Sequence, residues 1–326
     1  MGKKQDTSQT SSFPYKGVLI AFIVGVIFLF IIVPIFFVLA VSVLSSGSDT
    51  SGVSGSGNVA FIRIEGTIVS RSSAPSLFGS AQTTSADQIK SYIEQIQRNN
   101  RIEGVIFEIN SPGGSGVAAD EIARLISELD KPTVSYIREV GTSAAYWIAS
   151  STDTIYANRL STVGSIGVLS GFLDFSQFIQ QYNISYNRFV AGENKDFGSP
   201  FLAPTDEQSE HFQSLLNSLY DVFLLEVATL RNVSIDQLQP LADGSIYSGV
   251  RAKELGLIDG FGSQQEAIVH MEGVLGKSIT LVPYTRQTTF FESFFGFMSQ
   301  GFYAMGKGIG SSVTFFPLSQ NQIITY

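Results

Sequence analysis

The chain has 326 residues, of which 44% are hydrophobic and 15% charged, enough apolar material for one sizeable domain plus appendages and too much for a disordered protein. Its formal net charge of -8, with no basic patch beyond the N-terminus, excludes a nucleic-acid surface, which needs clustered Lys and Arg. The absence of cysteine excludes disulfides, thiol chemistry and lipidation on cysteine.

Residues 17–44 form a run of roughly 28 residues without a charge, long enough to cross a bilayer core of about 30 Å. Lys3, Lys4 and Lys16 precede it and outnumber Asp6. The positive-inside rule then predicts a cytoplasmic segment 1–16, a single-pass anchor 17–44 in the cell membrane, and an extracytoplasmic remainder. A cleaved signal peptide is the alternative, but its apolar region is only about 7–15 residues long. Pro34 is tolerated within a membrane helix. Residues 45–57 are rich in Ser and Gly and read as a tether.

The folded domain is predicted over 58–283. Apolar β runs at 59–64, 105–109 and 133–137 alternate with amphipathic helical runs at 86–99 and 117–129. This is the βαβ rhythm of an α/β domain with a mostly parallel, covered sheet. A further strand is expected at 186–190, and a long helix from Thr205, where Thr205 and Gln208 can form a capping box, to about residue 230. Helices at 248–255 and 263–275 and a strand at 279–282 complete the pattern. Residues 284–326 form an aromatic-rich C-terminal tail that includes Phe290, Phe291, Phe294 and Phe295. It suits a membrane interface, a packing segment or an oligomer contact.

The chain has two histidines, His211 and His270, each in a stretch that reads as a polar helix. A Ser-His-Asp triad therefore has few candidate bases, and neither histidine forms a metal-binding constellation with Asp or Glu. No cofactor motif is visible. A neutral lysine can take a hydroxyl proton equally well if burial and neighbours lower its pKa from about 10.4 toward about 7–8, which requires a dry site.

Ser143, in Gly141-Thr-Ser-Ala-Ala-Tyr-Trp147, follows a predicted strand and starts a helix. The free N–H groups of a helix N-terminus favour an alkoxide developing there, and the Ala144 amide can add an oxyanion donor; the alternative is a simple helix cap. Lys195 lies between Gly192 and Gly198-Ser-Pro-Phe201. It is either a solvated loop charge or a base walled from water by Phe197, Pro200 and Phe201. Ser165, in Val163-Gly-Ser-Ile-Gly-Val168, can orient an amine or mark a glycine-flanked turn. Asn110-Ser-Pro-Gly-Gly114, between a buried strand and a helix, can aim backbone N–H groups at one point as an oxyanion hole. It is otherwise an ordinary turn, and it lacks the Gly-Lys-Ser/Thr ending of a phosphate loop.

These segments resemble, in order, those of the short, membrane-anchored signal peptide peptidase A family, serine proteases related in fold to the Clp protease subunit and crotonases. The likeness spans about 58–282, with a fifth signature in Ala242-Asp-Gly-Ser-Ile-Tyr-Ser-Gly249 through Leu255-Gly-Leu-Ile-Asp259. The resemblance implies a Clp/crotonase-like fold of repeated ββα units, with Ser143 as nucleophile, Lys195 as general base and Ser165 positioning the lysine amine. Gly113, Gly114 and Ala144 would form the oxyanion hole. It further implies peptide substrates such as signal-peptide remnants, no cofactor, and a homo-oligomeric ring in which neighbouring subunits can share the catalytic pair. Ala144-Ala145 stands where the family commonly has two glycines, which would narrow the pocket, and Ser245 where it commonly has arginine. Trp147 and Phe201 suggest a preference for apolar side chains. The rival readings are an inactive membrane scaffold or peptide-binding module of the same fold, and an acyl-CoA enzyme of crotonase type.

Overall fold

The computed structural model describes residues 15–37, 56–71 and 82–285. The predicted tether, apart from its last two residues, and nearly all of the aromatic tail lie outside them. The chain divides into two compact units, Met1–Ser51 and Gly52–Tyr326.

In the first unit, helix α1 (Tyr15–Ile27) runs into a π turn at Phe28–Ile32, and residues 33–37 are again α-helical. Pro34 gives the π turn a cause, because it has no N–H to donate to the preceding turn and its ring crowds the carbonyl four residues back. Every side chain from 22 to 37 is exposed. Among the described residues no helix is long and apolar enough to cross a membrane. The continuous span expected over 17–44 is thus seen only as these shorter helical pieces, and residues 38–44 fall outside the described part.

The second unit is a mixed α/β fold around a largely parallel sheet. Its elements are β1 (Val59–Val69), β2 (Thr83–Ser85), α2 (Ala86–Arg98), β3 (Gly104–Gly114), α3 (Gly116–Ser127), β4 (Thr133–Thr142), α4 (Ala144–Ser150), β5 (Thr154–Ala157), β6 (Thr162–Gly164), α5 (Ser176–Gln181), α6 (Asp206–Leu230), α7 (Ile235–Leu238), β7 (Ile246–Ser248), α8 (Gly249–Glu254), β8 (Gly260–Phe261), α9 (Gln264–Leu275) and β9 (Leu281–Tyr284). The three long strands β1, β3 and β4 lie side by side in one nine-stranded sheet, with different neighbours at their two ends. Toward their N-terminal ends the neighbours are β9 beside β1, and β5 then β8 beside β4. Toward their C-terminal ends β2 replaces β9, and β6, followed by antiparallel β7, replaces β5. The register breaks between Glu65 and Thr67 in β1 and between Ile109 and Ser111 in β3. Such bulges bend a strand and increase its twist, which parts the C-terminal halves from the N-terminal ones.

Parallel strands covered on both faces read as near-continuous apolar runs. Ala60, Ile62 and Ile64 join the main core with α2, α3, α4 and α6, while Val59 and Phe61 pack with Ala267 and Met271 of α9. Helix α2 is capped by Ser85, whose hydroxyl accepts the Gln88 N–H, and it buries Ala86, Ile89, Tyr92, Ile93 and Ile96 at helical spacing. Each large apolar side chain buried this way contributes about 1.5–3 kcal/mol. Helix α6 begins at the expected capping box of Thr205 and Gln208.

One expectation is corrected and another refined. Residues 186–190 are not a strand: none of the described strands pairs with them, and Tyr186, Phe189 and Val190 are exposed. The polar-helix reading of His270 is refined, because its ring lies against the Tyr156 hydroxyl (3.1 Å) and the Thr154 hydroxyl (3.4 Å), joining α9 to β5.

Candidate active site

Parallel strands deliver their C-terminal ends to one rim, where open α/β sheets place their ligand crevices. At this rim β3, β4 and β6 end side by side. Gly141 pairs with Ser111 on one side and Val163 on the other, and Thr142 pairs with Gly164. The next residues along β4 and β6 are Ser143 and Ser165, so the register alone makes them neighbours.

Ser143 has φ 55° and ψ −126°, a backbone conformation sparsely populated by residues other than glycine. Such strain costs of order 1–3 kcal/mol and persists only where surrounding structure enforces it. Here the Ser143 N–H donates to the Gly164 carbonyl (2.8 Å) and the Ser143 carbonyl accepts the Trp147 N–H (3.1 Å), clamping the turn between β6 and α4. The side chain is half-buried and makes no capping hydrogen bond. Position alone therefore matches a helix cap, while the hydroxyl is left for other chemistry. A strained strand-to-helix turn of this kind presents a nucleophilic oxygen at the end of a sheet.

Gly113 lies directly against this turn, with φ 103°. A Cβ there would meet the Ser143 Cβ at 2.9 Å and the Ala144 nitrogen at 3.0 Å. Ala144 is the first helical residue of α4, whose N–H has no partner within the helix. The Gly113 N–H donates to the buried Ser111 hydroxyl (3.1 Å). Gly114 serves a different contact, since a Cβ on it would lie 2.1 Å from the Ile68 carbonyl oxygen of β1. Side chains span the register break that shapes this loop: Asn110 Oδ1 accepts the Val140 N–H (3.2 Å), and Thr142 Oγ1 donates to the Pro112 carbonyl (3.1 Å).

Ser165 also has a positive φ, 53°, and its N–H donates to the Ser245 carbonyl at 2.7 Å. Ser245, which stands where an arginine was expected, thereby fixes the Ser165 turn through its backbone. Ala144 and Ala145 are both buried in the core. Trp147 is also core, 5% exposed and stacked on Phe223 of α6 at 4.9 Å. Helix α4 is held further by the Tyr146 hydroxyl, which donates to the Leu257 carbonyl (2.8 Å) and whose pKa burial pushes up to about 12.

Lys195 is tied to this cluster by no described hydrogen bond. It sits in a turn after Gly192, is exposed, and its ammonium makes no hydrogen bond or ion pair with any described residue. The expected aromatic wall is not closed over it: Phe197 turns inward against Phe172 (5.4 Å) and Phe212 (4.8 Å), and Phe201 packs on Tyr186 (5.6 Å) while remaining 42% exposed. Sequence reading missed Ser111, Asn110 and Thr142 as shapers of the glycine loop. The signal was their place beside Gly113 and Gly114 where a strand must leave its ladder.

A serine on a strained turn, beside a glycine backbone and a helix N-terminus, is the arrangement of an acyl-transfer hydrolase, and the chain's relatives make it a serine peptidase. Residues 126–277 match the model of peptidase family S49. A protein of Methanocaldococcus jannaschii named as a protease is 34% identical over 221 residues, 67% of this chain and 70% of that one. One of Enterococcus faecium named as a signal peptide peptidase is 34% identical over 206 residues, 62% of this chain and 60% of that one. The chloroplastic serine protease SPPA of Arabidopsis thaliana is 28% identical over 243 residues, 72% of this chain and 36% of that one. The chain belongs to peptidase family S49, with a signal peptide peptidase A-like domain.

Proposed function

We propose that this is a membrane-anchored serine endopeptidase that cleaves remnant signal peptides or other membrane-released fragments with a Ser-Lys dyad. Ser143 Oγ attacks the peptide carbonyl while Lys195 Nζ, neutral in the working site, takes its proton. The tetrahedral oxyanion is met by the Ala144 N–H and by the Gly113 N–H, which exchanges its Ser111 hydroxyl partner for the oxyanion, with the adjoining Gly114 completing the loop. Lys195 returns the proton to the leaving amine, and water then hydrolyses the acyl-enzyme ester with Lys195 as base again. Ser165, one residue past the last β4–β6 pair, orients the amine.

The convergence of Gly113, Ser143 and Ser165 at three adjacent strand ends is the observation that carries this reading. An exposed ammonium is a poor base, since only desolvation or neighbouring cations bring its pKa down. In our reading a neighbouring copy in a ring brings its Lys195 to this Ser143, and the contact excludes the water. The lipid bilayer is the second partner: an apolar helix with every side chain from 22 to 37 exposed is matched by lipid, and the segment continues apolar through residue 44.

Assaying Ser143→Ala and Lys195→Ala separately on a peptide substrate tests the dyad, and each is expected to lose about 10⁴-fold or more in kcat. Retained hydrolysis in either removes that residue from its role. The lone Lys195 also fits an inactive peptide-binding scaffold of the same fold. Covalent labelling of Ser143 by a serine-directed probe in the wild-type protein, and its loss in Lys195→Ala, decides against the scaffold.

A further inference from the structure

The turn that carries Lys195 is fixed far more firmly than an exposed loop requires. Arg188, just upstream, reaches across it with a two-pronged grip on Asp196: Nε to one carboxylate oxygen at 2.5 Å and Nη2 to the other at 2.8 Å. The same Nη2 donates to the Glu193 carbonyl at 2.6 Å, so one guanidinium holds the chain on both sides of Lys195. From α6, Gln208 Nε2 donates to Asn194 Oδ1 (3.2 Å), and Phe197 is wedged between Phe172 and Phe212. The Asp196 side chain is only 15% exposed. The result is a fixed backbone turn presenting a lysine side chain that bonds to none of the described residues.

The grip has an electrostatic consequence as well as a mechanical one. A bare carboxylate on the residue next to Lys195 would favour the ammonium form, the wrong form for a base. Forked pairing with Arg188 places a compensating cation on that carboxylate. Those hydrogen bonds hold the Asp196 carboxyl below the usual range and the Arg188 guanidinium above its own.

We propose that Arg188 and Asp196 are a positioning pair for the base, fixing the Lys195 turn and balancing the carboxylate that lies beside its amine. This rests on the reading of Lys195 as general base. The other titratable side chains on elements packed against the turn are Glu193 within it, Tyr186 beside Arg188, Asp174 in the stretch after Phe172, and Asp206, Glu207, Glu210 and His211 on the first turns of α6. Among the described residues, only Arg188 is ion-paired to the turn.

The test is the pH profile of kcat/KM for peptide hydrolysis by the full-length membrane protein, wild type against Arg188→Gln, Asp196→Asn and Lys195→Ala. Arg188→Gln exposes the carboxylate, favours the ammonium and moves the acidic limb to higher pH by about one unit. Its kcat falls about 100-fold with KM little changed, because the base is misplaced. Asp196→Asn is nearly isosteric and leaves Arg188 unopposed, so its limb moves to lower pH. Opposite shifts are not produced by loss of structure alone. Limbs that stay in place, or move the same way in both variants, overturn the proposal while an inactive Lys195→Ala leaves the dyad standing. An active Lys195→Ala overturns both.

Discussion

At the scale of single residues the account turns on backbone geometry at Ser143 and Gly113. Ser143 bears a positive φ that no glycine relieves, and it is held there by hydrogen bonds from both flanks. Gly113 is small because the Ser143 Cβ occupies the space a side chain would need. Gly113→Ala is therefore expected to push the Ser143 turn and the Ala144 N–H apart. Loss of an oxyanion donor costs about 100- to 1000-fold in kcat, so a fall of that size is expected in kinetic assays, with a lowered melting temperature because a side chain at φ 103° meets backbone atoms too closely. Ser143, Ser165 and Gly113 were legible in the sequence because each sits in a short glycine-framed segment after an apolar run. Arg188 and Asp196 were not, since an arginine and an aspartate eight residues apart in irregular chain obey no periodicity.

Among elements, the strands and helices that pack on one another were readable from apolar period, as 59–64 within β1, 86–99 as α2 and 205–230 as α6 show. Residues 186–190 have the same β-type composition but no partner strand, and composition alone does not supply a ladder. The fork in the sheet was also hidden. It arises from register breaks at Glu65/Thr67 and Ile109/Ser111, which leave no mark on an alternating pattern. One side-chain tie between elements gives a pH-dependent prediction. Asp259 accepts the Ile155 N–H of β5 (2.8 Å) and two N–H groups of Arg231, the C-cap of α6 (2.8 and 3.0 Å). Burial raises the pKa of Asp259, but the hydrogen bonds from Arg231 and Ile155 outweigh it and the net shift is downward. A carboxylate with a depressed folded-state pKa stabilises the fold above its unfolded value of about 3.9, and that stability is lost as pH falls through the folded value. Asp259→Asn is thus expected to lower unfolding free energy by about 1–2 kcal/mol at neutral pH. Denaturant titrations should show the gap to wild type closing below about pH 4, and a gap that is constant with pH would assign the loss to packing instead.

For the whole molecule, the single chain assembles Ser143, the glycine loop and Ser165, but leaves Lys195 exposed and without a bond to any described residue. Apolar side chains stand exposed on the same stretch of chain and on α6, among them Leu169, Leu173, Phe189, Leu215 and Leu219. The ring of identical subunits we propose would bury such a surface and dry the lysine in the same step. Burial within an assembly is invisible to a reading of one sequence, because the apolar pattern that marks an interface also marks a core.

The most direct test is to mix Ser143→Ala and Lys195→Ala proteins under conditions that exchange subunits. Each alone is inactive, but a site built from one copy's serine and its neighbour's lysine is restored at a fraction of the junctions. Random assembly then predicts recovery of about one-quarter of wild-type peptidase activity. A mixture no more active than its two parents, with exchange verified, would contradict a base supplied by a neighbouring copy.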